Sequence, residues 1–304
     1  MRRALIVPST GTASLKQDAG VICCGWRQSV RDRLSRLGVV LAVAAWTATA
    51  CGTSSPPKSG SVSATPPSPT GSATWNIVAL GDSDTTGSGD PTGVGWVGYY
   101  TRSLQQKLGL RVEVENLAVD GKTTDDLLSE LRSDPTTQRV VANAQIVLIG
   151  IGGADLNAGD ENLQAGTCNG KACFVPVLHA FARNFDAIVA EVRALRDAPT
   201  VIRAITLPNA LPGAESVIPP SATPEISLYQ AATETRIICQ TMQKYRGRCV
   251  DVLHAFNGPS GTENAYKTGL MNLEDCCYAS TKGQRLIAKL LIETGLAPIE
   301  PSSP

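Results

Sequence analysis

A serine follows the first apolar run of the predicted folded region, in the stretch VALGDSDTTG, Val78 to Gly87. The run Trp75–Leu80 is typical of a buried strand, and the small polar residues Gly81-Asp82-Ser83 end it. A strand that ends in this way places a serine at the rim of a sheet, where its hydroxyl can act as a nucleophile. The same serine could instead cap the next helix, so its role depends on the groups that other strands bring to it.

Strand-like and helix-like stretches alternate from Trp75 onward. The predicted strands are Trp75–Leu80, Arg111–Asn116, Gln145–Ile149, Thr200–Leu207 and Arg248–Leu253. The clearest predicted helices, Phe174–Arg196 and Ser280–Thr294, repeat apolar residues at helical spacing. This alternation predicts an α/β fold in which a parallel five-stranded sheet lies between helices. Because open parallel sheets bind ligands at the carboxyl ends of their strands, we expect the residues after each strand to form the site.

Four short motifs occur in chain order at such positions. They are GDS at Gly81–Ser83, NLAVDG at Asn116–Gly121, GGAD at Gly152–Asp155 and DCCYASTKG at Asp275–Gly283. Together they resemble the SGNH (GDSL) hydrolases, a family of flavodoxin-like α/β serine esterases and lipases, over about Trp75–Leu296. The resemblance implies that Ser83 is the nucleophile. It also implies that the backbone N–H groups of Ser83 and Gly121 bind the oxyanion.

Two positions depart from the family pattern in groups that act chemically. The third motif normally carries an asparagine whose side chain completes the oxyanion hole, but here Ala154 has no donor. Losing one such donor typically costs about 2.7–4 kcal/mol of transition-state stabilisation. The fourth motif normally pairs an acid, here Asp275, with a histidine, and Tyr278 stands in the histidine position. An unperturbed phenol titrates near pH ~10 and an imidazole near ~6.5, so Tyr278 is expected to be a poor base.

His254 is the candidate for a substitute base. It follows the predicted strand Arg248–Leu253, so we expect it at the same edge of the sheet as Ser83. A purely structural role for His254 is the alternative, because a catalytic group must be placed by geometry that the sequence does not show. The only other histidine, His179, falls inside a predicted helix beside an apolar residue, where a catalytic role is not expected.

Six cysteines follow Cys51, and an even number in an exported chain indicates disulfides. Three pairs are candidates: Cys168 with Cys173 in one loop, Cys239 with Cys249 across a helix-to-strand turn, and the adjacent Cys276 and Cys277. The sequence alone leaves the pairing open. It contains no Cys-x-x-Cys spacing or nearby pair of histidines, so we expect neither a metal nor a cofactor.

The amino-terminal region, residues 1–50, resembles an export signal. The apolar run Leu37–Trp46 follows several arginines and is too short to span a bilayer comfortably, as in a signal peptide. It ends at TATAC, Thr47–Cys51, which resembles a lipobox in which Cys51 is lipidated; an ordinary secretory signal is the alternative. Because residues 1–29 are unusually long for a signal, we hypothesise that translation starts at Val30.

The predicted organisation is a signal at 1–50, a Ser/Thr/Pro-rich tether at 51–73, a hydrolase-like domain at 74–298 and a tail at 299–304. The 27 basic and 27 acidic residues balance, so charge indicates no nucleic-acid partner. We expect an exported lipoprotein, anchored on the extracytoplasmic side of the membrane, that hydrolyses a small ester or an acylated glycan. The alternative is an inactive SGNH-like lipoprotein that binds a glycan or acyl ligand. The sequence leaves the oligomeric state open.

Overall fold

A computed structural model describes residues 74–196, 198–216, 221–274 and 278–299 of the protein. The predicted signal with Val30, the tether with Cys51 and most of the tail lie outside these residues, as do Asp275, Cys276 and Cys277. Of the helices in the described residues, none is long and apolar enough to cross a membrane.

Five parallel strands form one sheet in the order β2-β1-β3-β4-β5. They are β1 Thr74–Gly81, β2 Arg111–Asn116, β3 Ile146–Gly150, β4 Val201–Ile205 and β5 Arg248–Val250. Gly81 at the end of β1 pairs with Gly150 at the end of β3. The chain runs to opposite sides of β1 to make β2 and β3, so the crevice at the ends of β1 and β3 is a topological switch point. The predicted α/β fold is confirmed.

Helices cover both faces of the sheet. In the described residues the α-helices are α1 Ser83–Thr86, α2 Gly95–Leu108, α3 Thr124–Ser133, α4 Pro135–Asn143, α5 Gly153–Gln164, α6 Val175–Ala194, α7 Pro224–Lys244, α8 Val252–Asn257 and α9 Thr281–Glu293. A short 3-10 helix, Gly170–Cys173, precedes α6. The two helices predicted from apolar periodicity correspond to α6 and α9, because their apolar faces pack against the sheet.

The side chains of β1 alternate between two cores. Ile77 and Ala79 belong to the core that contains Trp96 of α2 and Leu291 of α9. Val78 and Leu80 belong to the opposite core, which α3, α6 and α7 complete with the buried residues Leu127, Phe185 and Ile238. Since β1 is buried on both faces, its end is held rigidly, and the turn that carries Ser83 starts from a fixed point.

The prediction of the fifth strand as Arg248–Leu253 is wrong about where the strand ends. The strand stops at Val250, and Asp251 caps α8 by accepting a hydrogen bond from the amide of His254 at 3.0 Å. Val252 and Leu253 are buried as the first turn of this helix rather than as a strand. A short apolar run does not by itself distinguish these two ways of being buried. His254 therefore lies on a helix and not directly after a strand.

Two of the candidate disulfides are present. Cys168 is bonded to Cys173 across the 3-10 helix, and Cys239 of α7 is bonded to Cys249 of β5. The second bond fastens α7 to the edge strand of the sheet. The third candidate pair lies outside the described residues and stays a prediction.

Candidate active site

Ser83 is the first residue of α1 and lies directly beyond β1. The residue that caps this helix is Asp82, whose Oδ1 accepts from the amide of Asp84 at 3.1 Å. Asp82 Oδ2 accepts from the amide of Gly152 at 3.0 Å, so one buried carboxyl group joins the turns after β1 and β3. Because Asp82 performs the capping, the hydroxyl of Ser83 is not needed as a cap. The first amide of a helix has no acceptor within it, which leaves the Ser83 N–H suited to bind an oxyanion.

The loop that carries Gly121 is fastened to α1. Asn116 Nδ2 donates to the carbonyl of Thr85 at 3.0 Å, and Thr86 Oγ1 donates to Asp120 Oδ1 at 2.6 Å. Gly121 has a left-handed φ of +78°, and its amide has no acceptor among the described residues. The loop therefore holds Gly121 near the helix of Ser83, and its role as an oxyanion donor stays a prediction.

The GGAD turn begins α5. Gly152 caps the helix, and Ala154 is its second residue, whose methyl group offers no hydrogen-bond donor. The carboxylate of Asp155 accepts from the backbone amide of Thr124 at 3.0 Å and from the hydroxyl of the same residue. Asp155 therefore joins α5 to the start of α3, and its observed role is structural.

The side chain of Tyr278 lies beside that of Ser83, close enough for the serine hydroxyl to lower the pKa of the phenol. Backbone hydrogen bonds fix the segment before α9: the amide of Asn272 donates to the Tyr278 carbonyl at 3.1 Å, and Ser280 donates to Leu270 at 2.9 Å. Tyr278 packs closely against Gly89, which has no side chain; a Cβ on Gly89 would lie 2.4 Å from Tyr278 Cβ. The phenol therefore lies beside the serine. Tyr278 occupies the chain position at which the resemblance places the base.

The environment of Tyr278 keeps its phenol protonated. Burial raises the pKa of this phenol, the neighbouring hydroxyl of Ser83 lowers it, and the nearby carboxylates Asp84, Asp120 and Asp82 raise it further. The overall shift is upward from the ordinary value. At neutral pH the phenol can therefore donate a hydrogen bond, but it is not ionised and cannot serve as a free base.

His254 lies away from this pair. Its Nδ1 is 2.6 Å from Asp251 Oδ2, and both side chains are nearly half exposed. It follows β5, three strands from β1 in the sheet, a separation of roughly 14 Å at ordinary strand spacing. His179 is exposed on α6. No contact recorded for the described residues joins either imidazole to Ser83, and the substitute-base role of His254 stays a prediction from sequence.

Carboxyl groups are concentrated beneath and beside Ser83. Burial raises the pKa of Asp84 to about 6, and burial together with the Asp84 charge raises that of Asp82 well above its ordinary value. Glu234 of α7 is 1% exposed, and its Oε1 has no hydrogen-bond partner among the described residues. This oxygen would lie 2.9 Å from a Cβ on Gly152. In the part of the chain that the structure describes, no group of three or more acidic, His or Cys side chains is arranged to hold a metal ion.

The sequence analysis missed Asp84 and Glu234 as site residues. Asp84 adjoins the serine, but an aspartate in a turn is common and its burial is not visible in the sequence. Glu234 carried a usable signal. It lies at helical spacing from the buried residues Ala231, Ile237 and Ile238, so a charged side chain falls on the apolar face of α7.

Replacing Glu234 with glutamine is expected to raise the free energy of unfolding at neutral pH. Burial and the charges of Asp155, Asp82 and Asp84 raise the pKa of Glu234 well above its ordinary value. The unfolded chain therefore releases this proton more readily than the folded protein, and stability falls as the pH rises above about 4.3. Glutamine has nearly the same shape and does not ionise. Each kcal/mol gained should raise Tm by about 2–4 °C.

Thermal unfolding at pH 7 and at pH 4 measures this effect. We expect the Glu234→Gln protein to have a higher Tm than the wild type at pH 7. Most of that difference should disappear at pH 4, where Glu234 is largely protonated in both the folded and the unfolded protein. A Tm below that of the wild type at pH 7 would contradict the prediction.

Comparison with known proteins relates this geometry to a family. Residues 79–270 match the family described as "GDSL-like Lipase/Acylhydrolase family". Uncharacterized protein YpmR of Bacillus subtilis (strain 168) is 36% identical over 123 residues, which are 40% of this chain and 47% of that protein. The chain therefore matches about half the length of this curated relative.

Solved structures with the same fold cover about three quarters of the chain. The lipase Lip_vut3 from a goat rumen metagenome has a TM-score of 0.62 at 20% identity and matches 74% of this chain and 100% of its own. A catalytic mutant of Axe2, an acetylxylan esterase from Geobacillus stearothermophilus, has a TM-score of 0.53 at 20% identity. The match covers 76% of this chain and 97% of the esterase. A lipase/acylhydrolase from Enterococcus faecalis has a TM-score of 0.53 at 19% identity. The match covers 76% of this chain and 100% of that protein.

At these identities the structural likeness establishes the fold, and the family match over residues 79–270 establishes the kinship. The match includes the turn with Ser83, the Gly121 loop and the GGAD turn. The chain belongs to the GDSL-like lipase/acylhydrolase family, a family of ester-hydrolysing enzymes.

Proposed function

We propose that this protein is an exported serine hydrolase that cleaves carboxylic or acyl esters with Ser83 as nucleophile and with no histidine at its base position. The observation that carries the proposal is that the side chains of Ser83 and Tyr278 lie next to each other at the switch point of the sheet. A serine that serves only as a helix cap would not need this contact, and Asp82 already caps α1.

The reaction would follow the acyl-enzyme route. Ser83 Oγ attacks the ester carbonyl, and the amides of Ser83 and Gly121 stabilise the oxyanion. The alcohol leaves with the proton that Ser83 Oγ gave up. Water then attacks the acyl-enzyme, releases the carboxylic acid and returns a proton to Ser83. The missing donor at Ala154 makes us expect slower turnover than in a site with the full oxyanion hole, by about 10²–10³-fold in kcat.

The proposed substrate is a small ester or an acylated glycan, and a lipid on Cys51 would anchor the domain outside the cell. The fold likeness to an acetylxylan esterase and to lipases supports this range of esters. The tether at 51–73 consists mainly of Ser, Thr, Pro and Gly, which suits a flexible link between a lipid anchor and a folded domain. Fractionation of cells that express Cys51→Ser tests the anchor: the variant should leave the membrane fraction.

Labelling with a fluorophosphonate probe tests the proposed chemistry, because the probe reacts with an activated serine. We expect the purified wild-type protein to form a covalent adduct, and mass spectrometry of its peptides to locate that adduct on Ser83. The matched control is Ser83→Ala, which should not react. A folded wild-type protein that neither labels nor hydrolyses 4-nitrophenyl acetate would refute the proposal and favour the inactive ligand-binding alternative.

A further inference from the structure

A basic pocket lies at the end of the sheet opposite the catalytic crevice. Its volume is about 630 Å³, and its charged lining consists of Arg193, Lys244, Arg246 and Arg248. No acidic side chain among the described residues lines it. The ends of α6 and α7 meet the starts of β4 and β5 here, whereas Ser83 lies beyond the carboxyl end of β1. The pocket is therefore separate from the candidate active site.

Two of the four basic side chains have structural partners. Lys244 Nζ donates to Asp186 Oδ1 at 2.6 Å, and Arg193 Nε donates to the carbonyl of Tyr245 at 2.9 Å. Both cations also lie in the last turn of a helix, where the helix dipole favours positive charge. The side chains of Arg246 and Arg248 are exposed and form no hydrogen bond or ion pair with any of the described residues. Their guanidinium groups are therefore available to a ligand.

Arg246 occupies a backbone position that favours glycine. Its φ is +56°, and among the described residues it is the one residue other than glycine with a positive φ. It directly follows Tyr245, which caps α7, and helices commonly end on a glycine at this point because a Cβ is disfavoured there. The fold accepts this backbone strain for a side chain that has no partner within the described residues, which indicates a role outside the fold.

A further positive charge is buried behind the pocket. Arg203 of β4 is 1% exposed, and its guanidinium group donates to the carbonyls of Gly295 at 2.7 Å and Ala297 at 3.2 Å. Ala297 is also part of the wall of the pocket. The partners of Arg203 are carbonyl and hydroxyl oxygens, with no carboxylate among the described residues. Its charge therefore adds to the positive potential of the pocket.

The pocket lies at the edge of the sheet where the domain begins. Thr74 and Arg248 are the first residues of β1 and β5, so both lie at the amino ends of parallel strands. They are three strands apart, a separation of roughly 14 Å at ordinary strand spacing. The length of β1 separates this edge from the turn of Ser83 by roughly 23 Å. The predicted tether therefore joins the domain on the side of the pocket and away from Ser83.

We propose that the basic pocket binds the phosphate groups of anionic lipids and holds the domain with its catalytic crevice facing away from the membrane, a proposal that rests on the lipid anchor of the proposed function. A tether with the length and composition of residues 51–73 spans about 25 Å on average. It keeps the domain near the bilayer but does not fix its orientation. The pocket supplies that orientation, because guanidinium groups form bidentate hydrogen bonds with phosphate.

This orientation narrows the class of substrate. With the pocket against the headgroups, Ser83 lies on the far side of the sheet, and lipids of the same membrane do not reach its hydroxyl. A water-soluble ester or the acyl group of a glycan outside the cell reaches it freely. We therefore expect the substrate to come from the aqueous side and not from the bilayer.

The attraction is strong enough to orient an anchored domain but too weak to replace the anchor. Each basic side chain near an anionic membrane strengthens binding about 5-fold, so Arg193, Arg246 and Arg248 together contribute about 10²-fold. Such binding is lost on washing, and the Cys51→Ser protein is still expected in the soluble fraction. It should also weaken with salt, because the screening length falls from about 10 Å at 0.1 M to about 3 Å at 1 M ionic strength.

Acetylation of lysines in the full, lipid-anchored chain tests the proposal. The protein is reconstituted into phosphatidylcholine vesicles with or without about 30% phosphatidylglycerol, and a water-soluble reagent labels its lysines for mass spectrometry. We expect Lys244 to react about 5-fold more slowly when phosphatidylglycerol is present, and salt at about 1 M to remove the difference. Lys282 is exposed at the start of α9, on the side of the crevice, and should react equally on both vesicles.

Three variants separate the pocket from general effects of charge. Arg246→Gly removes a partnerless charge and relieves the left-handed backbone, so it should reduce the protection of Lys244 without lowering Tm. Adding Arg248→Gln should abolish the protection. Arg102→Gln removes an exposed arginine from α2 and is the matched control, which should leave the protection unchanged.

Several results would overturn the proposal. They are equal reactivity of Lys244 on both vesicles, protection of Lys282 in its place, and equal effects of Arg102→Gln and Arg246→Gly. Full protection of Lys244 by about 20 mM inorganic phosphate on phosphatidylcholine vesicles would also overturn it, because the pocket would then be a site for a soluble anion. Failure of the proposed function is recognised separately, as a wild type that phosphatidylcholine vesicles do not retain or that does not label at Ser83.

Discussion

Replacing Tyr278 with histidine is expected to raise kcat/KM for simple esters by about 10²–10⁴-fold, the usual contribution of a positioned general base. Tyr278 already lies at the serine, held by the backbone pairing before α9, so the substitution introduces a titratable nitrogen at the right place. The imidazole is shorter than the phenol, and one water between its nitrogen and Ser83 Oγ suffices to carry the proton. At neutral pH an imidazole is largely unprotonated, whereas the phenol holds its proton.

Hydrolysis of 4-nitrophenyl acetate at pH 7.5 measures the gain, with Tyr278→Phe as the control that fills the same space without a base. The increase should disappear when Ser83→Ala is combined with Tyr278→His, since the imidazole acts only on the serine. If Tyr278→His were no faster than Tyr278→Phe in a folded protein, the base position would not be what limits this site.

Replacing Gly81 with alanine is expected to destabilise the protein by about 3–5 kcal/mol, the sum of backbone strain and overpacking. A Cβ on Gly81 would lie 1.9 Å from the carbonyl oxygen of Gly150, and the φ of +152° is unfavourable for any residue but glycine. That oxygen also accepts from the Asp82 amide at 3.1 Å and from Thr85 Oγ1 at 2.7 Å. Alanine would therefore force apart β1, β3 and the turn that carries Ser83.

Thermal unfolding should show Tm lowered by about 6–20 °C, at 2–4 °C for each kcal/mol. Gly166→Ala is the matched control: its φ is +68° and nothing lies within 4 Å of its Cβ position, so it carries backbone strain without the clash. We expect Gly166→Ala to lower the free energy of unfolding by only about 1 kcal/mol. Equal losses in the two variants would show that the contact with Gly150 is not the cause.

The positions of the strands could be predicted largely from local sequence. The first four strands match their predicted bounds to within two residues, because buried apolar runs end at glycine or polar residues. The fifth strand shows the limit of this approach. Its apolar run continues to Leu253, but the Thr206 hydroxyl accepts from the amides of Val252 and Leu253, at 2.9 and 3.2 Å, and the chain turns into α8. That hydroxyl belongs to a residue far away in the sequence, so no local pattern includes it.

The candidate site was predictable as a set of chain positions but not as a set of interactions. The order of the motifs and strands placed Ser83, Gly121 and Tyr278 at one edge of the sheet, because parallel strands end on the same side. His254 was expected at that edge by the same argument, and the structure gives it Asp251 as its partner instead. The sheet order accounts for the difference, since β5 lies three strands from β1, the strand that carries Ser83 at its end.

The sequence by itself determined which chemical groups this protein can use. It contains a serine in the GDS motif and only two histidines. It also has an alanine and a tyrosine at the two positions where the resemblance implies an amide donor and a base, and folding does not change these identities. Only the tertiary structure decided how the groups act on one another. The contact of Ser83 with Tyr278 and the burial that raises the pKa of Asp84 to about 6 both arise where distant segments pack together. The same is true of Glu234, whose Oε1 has no hydrogen-bond partner among the described residues. Burial and hydrogen-bond partners depend on those long-range contacts, and adjacent residues in the chain do not specify them.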